Sequence, residues 1–267
     1  MAGRNGGTLM RARWPRRRPR ARPVAPEVLA PDGWQWPVRL GGRTPTGVEV
    51  VLRPLEPGDA EAFAAVRRAN ATWLEPWDAT SPDPDASAKT FDELVEQYES
   101  EAVSGRALPL VIEVRGRLVG QVNAGTIVLG SFRSFTVGYW VSRTVAGQLV
   151  TPTAVALVAD HLLGAQRLHR VEVNIRPENT ASLAVVRKLG FRPEGRRARY
   201  LHIAGAWRDH LSFALTTEDL AGETMVERLA RIVAEEASTR QTQSPHESLA
   251  RHTDPGPRPD AEPPLTS

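Results

Sequence analysis

Between residues 48 and 216 the chain switches repeatedly between a two-residue and a 3.6-residue apolar period, and that switching restricts the fold more than any other feature. Val48-Glu-Val-Val-Leu-Arg53 alternates as a first strand. Pro57-Gly-Asp59 then opens a helix containing Phe63, Val66 and Arg67. A tryptophan-rich turn follows at Trp73 to Trp77, and a helix over 86–103 carries Leu94, Val95 and Tyr98 at helical spacing. Leu108 to Val114 and Leu118 to Leu129 form a hairpin around Arg115-Gly-Arg117. Residues 134–142 add a strand with Phe135, Val137, Tyr139 and Val141 on one face. Such alternation calls for layered packing, because each sheet face and each helix stripe must be covered by another element.

The next stretch carries the sharpest local signals. Thr151 is an N-cap type and Pro152 suits a first helical position, where its missing N–H costs nothing. Val155, Val158, Ala159 and Leu162 then recur at i, i+3, i+4 and i+7. His169 to Ile175 reads as a buried strand, with Glu172 facing away from Val171 and Val173. Asn179 is placed to cap a helix with the stripe Leu183, Val186 and Leu189, ending at Gly190. Phe191 to Ala204 and Ala206 to Thr216 close a last hairpin around Gly205, and a final helix spans about 218–236.

The two ends differ from this body. Residues 1–26 hold eight arginines and no acid, which leaves a net charge of −5 from Glu27 onward. Residues 1–30 are expected to be a disordered basic arm, having too few apolar residues to offset ordering entropy. Weak RNA contact through the arm is the alternative reading. The expected domain covers 31–217, the C-terminal helix 218–237, and a Pro- and Ser-rich disordered tail 238–267. The sequence holds no cysteine, which removes disulfides, thiolate metal sites and cysteine nucleophiles. No His/Asp/Glu cluster has ligand spacing, so no metal is expected. There is no apolar run of membrane-spanning length and no apolar signal segment, so a cytoplasmic protein without membrane contact is expected.

Two passages carry a family likeness. Asn179-Thr-Ala-Ser182 followed by Lys188-Leu-Gly-Phe191-Arg-Pro-Glu-Gly195, together with Gly205-Ala-Trp-Arg-Asp209, resembles the GNAT acetyltransferases. Within them it is similar to the RimJ/RimL-like ribosomal-protein-alanine N-acetyltransferases. The resemblance covers about residues 45–217. It implies an α/β (α+β) fold: a mixed, mostly antiparallel sheet of about seven strands with a central splay, flanked by about four helices. It also implies acetyl-coenzyme A as co-substrate and a primary amine as acceptor, foremost the N-terminus of a ribosomal protein. A small amine or antibiotic as acceptor, and a non-catalytic binding module with a degenerate coenzyme loop, stay open as alternatives.

The site residues follow from that likeness and from charge chemistry. A pyrophosphate suits the unpaired amides at a helix start, here the loop Ala146, Gly147, Gln148, Leu149, Val150 and Thr151. Backbone near Tyr139, Trp140 and Val141 would receive the pantetheine and thioester. Asn179, Ser182 and Lys188 would also face the coenzyme, and Trp73, Glu75 and Trp77 the acceptor. Glu172, beside the splay, is the preferred general base, ahead of Glu113, Asp209, His169 and His210. One departure stands out: the loop pattern of the family, Gln/Arg-x-x-Gly-x-Gly/Ala, has Ala146, Leu149 and Thr151 in its three slots, and Leu149 is expected to crowd the phosphates.

Overall fold

The computed structural model describes residues 33–83 and 85–249, with side chains to residue 239. The basic arm and the far C-terminal tail therefore lie outside the described residues, apart from the helical stretch up to Leu249.

One eight-stranded sheet organises the molecule, in the order β1-β2-β3-β4-β5-β6-β8-β7. The strands are β1 (Leu40–Arg43), β2 (Glu49–Arg53), β3 (Leu108–Val114), β4 (Arg117–Val128), β5 (Ser134–Val141), β6 (Arg170–Ile175), β7 (Arg192–Ile203) and β8 (Ala206–Thr216). Only β5 and β6 run parallel; every other pair is antiparallel. The helices are α1 (Ala60–Ala69), α2 (Ala71–Leu74), α3 (Phe91–Val103), α4 (Val150–Asp160), α5 (Thr180–Lys188), α6 (Thr217–Leu220) and α7 (Met225–Leu249). The sheet thus has one strand more than the seven expected. The addition is β1, whose Leu40-Gly-Gly-Arg43 lacks an alternating pattern and forms by pairing with β2. Of the described helices, α2 and α6 are single turns of four residues, which leaves five substantial ones where about four were expected.

Two helix starts move from where periodicity alone puts them. Helix α3 begins at Phe91, not near residue 86, because Thr90 and Glu93 form a reciprocal capping box. Helix α4 begins at Val150 with Leu149 as its N-cap, so Thr151 and Pro152 lie inside the first turn. Proline is tolerated there, since first-turn N–H groups lack intrahelical partners. Nine of the eleven residues of α4 are buried, which makes it the hub of the core beneath Val137, Phe135 and Val171.

The C-terminal helix contributes more than its sequence suggests. Met225 and Leu229 of α7 are fully buried within the same core, and burial of side chains of that size stabilises by roughly 1.5–3 kcal/mol each. The start of α7 is capped from another element: the Asp160 carboxylate accepts hydrogen bonds from the backbone N–H groups of Met225 (2.6 Å) and Val226 (3.1 Å). Burial raises the Asp160 pKa, against the two N–H groups that lower it. Among the described residues, no helix is long and apolar enough to cross a membrane.

Candidate active site: a cleft where two strands part

The site arises from incomplete strand pairing. Strands β5 and β6 are in register only at Ser134↔Arg170, Phe135↔Val171 and Thr136↔Glu172. Beyond Thr136 they separate, although β6 remains fully paired on its other edge with β8. The facing edges of 137–141 and 173–175 therefore hold backbone groups without strand partners, and both stretches line a cleft of about 720 Å³. Unpaired strand edge inside a structure is a place for an extended ligand to add main-chain hydrogen bonds. At Gly138, which lines the cleft, an added Cβ would meet nothing within 4 Å, so open space lies against the backbone there.

One end of the cleft is made of main chain. The loop before α4 reaches it through Ala146, Gly147 and Leu149. The first α-helical bond runs from Thr153 N–H to Leu149 C=O, and no side chain caps the helix. The N–H groups of Val150 and Thr151 thus remain unbonded at the positive end of the helix dipole. Gly147 has φ +79° and Leu149 has φ +62°, both in the left-handed region. For leucine that conformation costs about 1–2 kcal/mol, so the expected crowding at Leu149 coincides with backbone strain. Asn179 caps α5 through its Oδ1, which accepts from Ser182 N–H at 3.0 Å.

The other end is built from side chains on distant segments. Trp73 comes from α2, Trp77 and Asp78 from the turn after it, Tyr98 from α3, Gln121 and Asn123 from β4, and Leu201, Ile203 and His210 from the last hairpin. Trp73 Nε1 donates to Val141 C=O (3.1 Å), tying the turn to the end of β5. Arg176 lies 5.3 Å from the Trp77 ring and donates to Pro76 C=O (2.8 Å). Asp78 is the one carboxylate among the described lining residues, and Arg67 already holds it at 2.5 Å. Asn123 Oδ1 is buried without a hydrogen-bond partner, on a residue directly opposite Gly138.

The structure gathers most of the anticipated residues at this cleft: Tyr139, Trp140, Val141, Ala146, Gly147, Leu149, Val150, Thr151, Asn179, Ser182 and Lys188, with Trp73 and Trp77. Three others stand elsewhere. Gln148 turns back to donate to Thr144 C=O at 3.0 Å, and Glu75 is exposed on a single 3₁₀ turn. Glu172 requires a correction. It sits where β5 and β6 are still paired, outside the cleft lining, and its two oxygens accept from Arg170 (2.9 Å) and Arg197 (3.0 Å). A carboxylate closed on both sides by guanidinium groups is a structural ion pair, poorly placed to take a substrate proton.

The other acids and histidines weighed as bases separate in the same way. Glu113 is bound by Arg53 at 2.9 Å, Asp209 by Arg196 at 2.5 Å, and His169 by Glu218 at 2.9 Å. None of these three lines the cleft, whereas His210 does and is 3 % exposed. Tyr139, for which the sequence suggested only a backbone role, presents a buried phenol whose hydroxyl lies 3.4 Å from Ser182 C=O. Burial pushes that phenol well above its ordinary range, so it stays protonated. Lys188 also reaches the cleft, though its ammonium is paired with Glu236 at 2.7 Å. Asp78, weighed from the sequence beside Trp73 and Trp77, lines the cleft, whereas Tyr98, Gln121 and Asn123 were missed because each is contributed singly and only tertiary packing brings them together.

Comparison with known proteins adds to this geometry. Residues 49–192 match the model of the acetyltransferase (GNAT) domain. The solved structure of Mycobacterium smegmatis RimJ in complex with CoA-disulfide is similar at 38 % identity and a TM-score of 0.69, covering 76 % of this chain and 97 % of that one. The [ribosomal protein uS5]-alanine N-acetyltransferase of Escherichia coli (strain K12) is 27 % identical over 172 residues, 64 % of this chain and 89 % of the relative. The probable N-acetyltransferase YjcK of Bacillus subtilis (strain 168) is 27 % identical over 175 residues, 65 % of this chain and 97 % of the relative.

Proposed function

The chain belongs to the GNAT acetyltransferases, enzymes of the N-acetyltransferase class, and from that premise we propose that it moves an acetyl group from acetyl-coenzyme A to the N-terminal amine of a polypeptide, foremost a ribosomal protein. Acetyl-coenzyme A is a substrate in this reading and supplies an activated thioester. One observation carries the reading: a single opening joins an uncapped helix start, free strand edge and an aromatic pocket with one paired carboxylate.

The residues fit such a donor. Val150 and Thr151 N–H groups are suited to a pyrophosphate, and the unpaired edge of β5 at 137–141 to an amide-rich pantetheine arm. Backbone N–H groups on that edge would polarise the thioester carbonyl. At the acceptor end, a polyamine or aminoglycoside carries several positive charges and calls for several acids. Asp78 is the one acid among the described lining residues, it is paired with Arg67, and Arg176 adds positive charge against the neighbouring Trp77. A single terminal amine followed by uncharged backbone suits this lining better, and the open groove beside Trp73 and Trp77 leaves room for the chain that follows. The ribosomal assignment is supported by the Escherichia coli relative, a [ribosomal protein uS5]-alanine N-acetyltransferase.

The test has two arms. Titration calorimetry with acetyl-coenzyme A should give saturable one-to-one binding, and no binding would remove the catalytic reading. A thiol-release assay should then favour peptides beginning with alanine or serine over spermidine and aminoglycosides by at least about tenfold in kcat/KM. The reverse preference would establish a small-amine acetyltransferase.

A further inference from the structure

We propose that His210 is the general base that removes the proton from the acceptor amine. The proposal rests on the reading of the cleft as an amine acetylation site. It assigns the role that Glu172, locked between Arg170 and Arg197, cannot fill.

His210 lies on β8 and faces the cleft from the last hairpin. Its Nδ1 is 3.0 Å from the Arg208 carbonyl oxygen. A carbonyl can only accept, so Nδ1 carries the hydrogen and Nε2 of the neutral ring presents a bare lone pair. Tyr200 on β7 meets the ring edge-on, at 5.7 Å between centroids and 71° between planes, which holds its orientation. Among the described residues Nε2 has no hydrogen-bond partner. Among the described residues the buried side-chain polar atoms left without partners are those of Asn123, Thr153 and Gln166, so Nε2 is not sealed away, on a residue that lines the cleft.

The surroundings favour the neutral form. Burial lowers the imidazole pKa below its ordinary value. Against this, the Arg208 carbonyl raises it, as do Asp209 on the same strand and Glu178 before α5, while Arg176 after β6 lowers it. An unprotonated histidine at neutral pH is the form a base requires. The other titratable groups of the lining fit the role less well: Asp78 is held by Arg67, Lys188 by Glu236, and the Tyr139 and Tyr98 phenols are kept protonated by burial.

The step balances as follows. Nε2 takes one proton from the acceptor ammonium, leaving a neutral amine whose lone pair forms the N–C bond to the acetyl carbonyl carbon. The C–S bond breaks, and the sulfur leaves as thiol with the second nitrogen proton. The imidazolium returns its proton to solvent, so one amide, one thiol and one proton are produced.

The test uses the full chain with acetyl-coenzyme A and an alanine- or serine-started peptide. His210→Asn keeps an amide donor for the Arg208 carbonyl but carries no base. It should lower kcat/KM by about 10²–10⁴-fold, with acetyl-coenzyme A affinity and the melting temperature near wild type. The wild-type kcat/KM should rise with pH along a limb centred below about 6.5, and His210→Asn should lose that limb. A variant within about threefold of wild type, or one that retains the limb, overturns the proposal. Should His210→Asn and His210→Gln both fail to fold, the wild-type profile decides: no limb below neutrality overturns it. Wild-type protein that binds acetyl-coenzyme A but acetylates no amine would overturn the functional reading, and this proposal with it.

Discussion

The two ends of the cleft are built on different principles. At the α4 end, the groups that face the opening are main-chain amides at Val150 and Thr151 and the free edge of β5. At the hairpin end, the groups are side chains drawn from four separate stretches: the Trp73–Asp78 turn, Tyr98, the β4 pair Gln121 and Asn123, and the β7–β8 hairpin. A main-chain site tolerates substitution, since every residue except proline supplies an N–H. That explains how the loop can carry Leu149 in place of glycine and still present an uncapped helix start. A side-chain site has no such tolerance, because each group is supplied once.

Substitutions at the two ends should therefore differ in kind. Of the positions compared, Gly138 on β5 should be the most sensitive. Gly138→Val fills the space where no atom lies within 4 Å of a Cβ, and it should reduce turnover by about 10²-fold or more with the melting temperature little changed. Full activity would show that the reacting groups do not meet at this point. At the hairpin end, Trp73→Ala removes an aromatic wall and the bond to Val141 C=O. A rise of about tenfold in acceptor KM is expected, or about 1.4 kcal/mol, with unchanged acetyl-coenzyme A affinity by calorimetry. An equal loss of both affinities would mean that the two ends are not separable.

Smaller effects are expected where main chain or remote charge is involved. Leu149→Gly relieves the left-handed strain of about 1–2 kcal/mol, offset by about 0.5–1 kcal/mol of extra unfolded-state entropy. Net stability should rise by no more than about 1.5 kcal/mol, and acetyl-coenzyme A should bind about threefold more tightly. Weaker binding would show that Leu149 contacts the donor productively. Last, Glu172→Gln should leave turnover within about twofold and cost roughly 1 kcal/mol in stability through its bonds to Arg170 and Arg197. A 10²-fold drop would return the base to Glu172 and remove it from His210.

His210 also sets a direction for stability against pH. Its folded pKa lies below the ordinary value, so the folded state binds its proton less readily than the unfolded chain. The resulting stability is present above the ordinary histidine range and declines as acid protonates the ring. His161, also lowered by burial, adds to the same decline.

What the sequence determined by itself was local. Two-residue alternation placed the strands other than β1, i, i+4 stripes placed the longer helices, and the caps at Asn179 and Gly190 set both ends of α5. The strand–helix order and the motif from Asn179 to Phe191 were legible because short-range sterics and hydrogen bonds specify them. Tertiary structure alone decided where β5 and β6 stop pairing. Glu172 and Asn174 are two positions apart on one face of β6, yet the first faces a paired strand and the second lines the cleft. That boundary depends on contacts made across tens of residues, among them the pairing of β6 with β8 on its other edge and the packing of α4 in the core. The same long-range packing brings His210 to the cleft and Arg197 to Glu172, which no window of neighbouring residues could reveal.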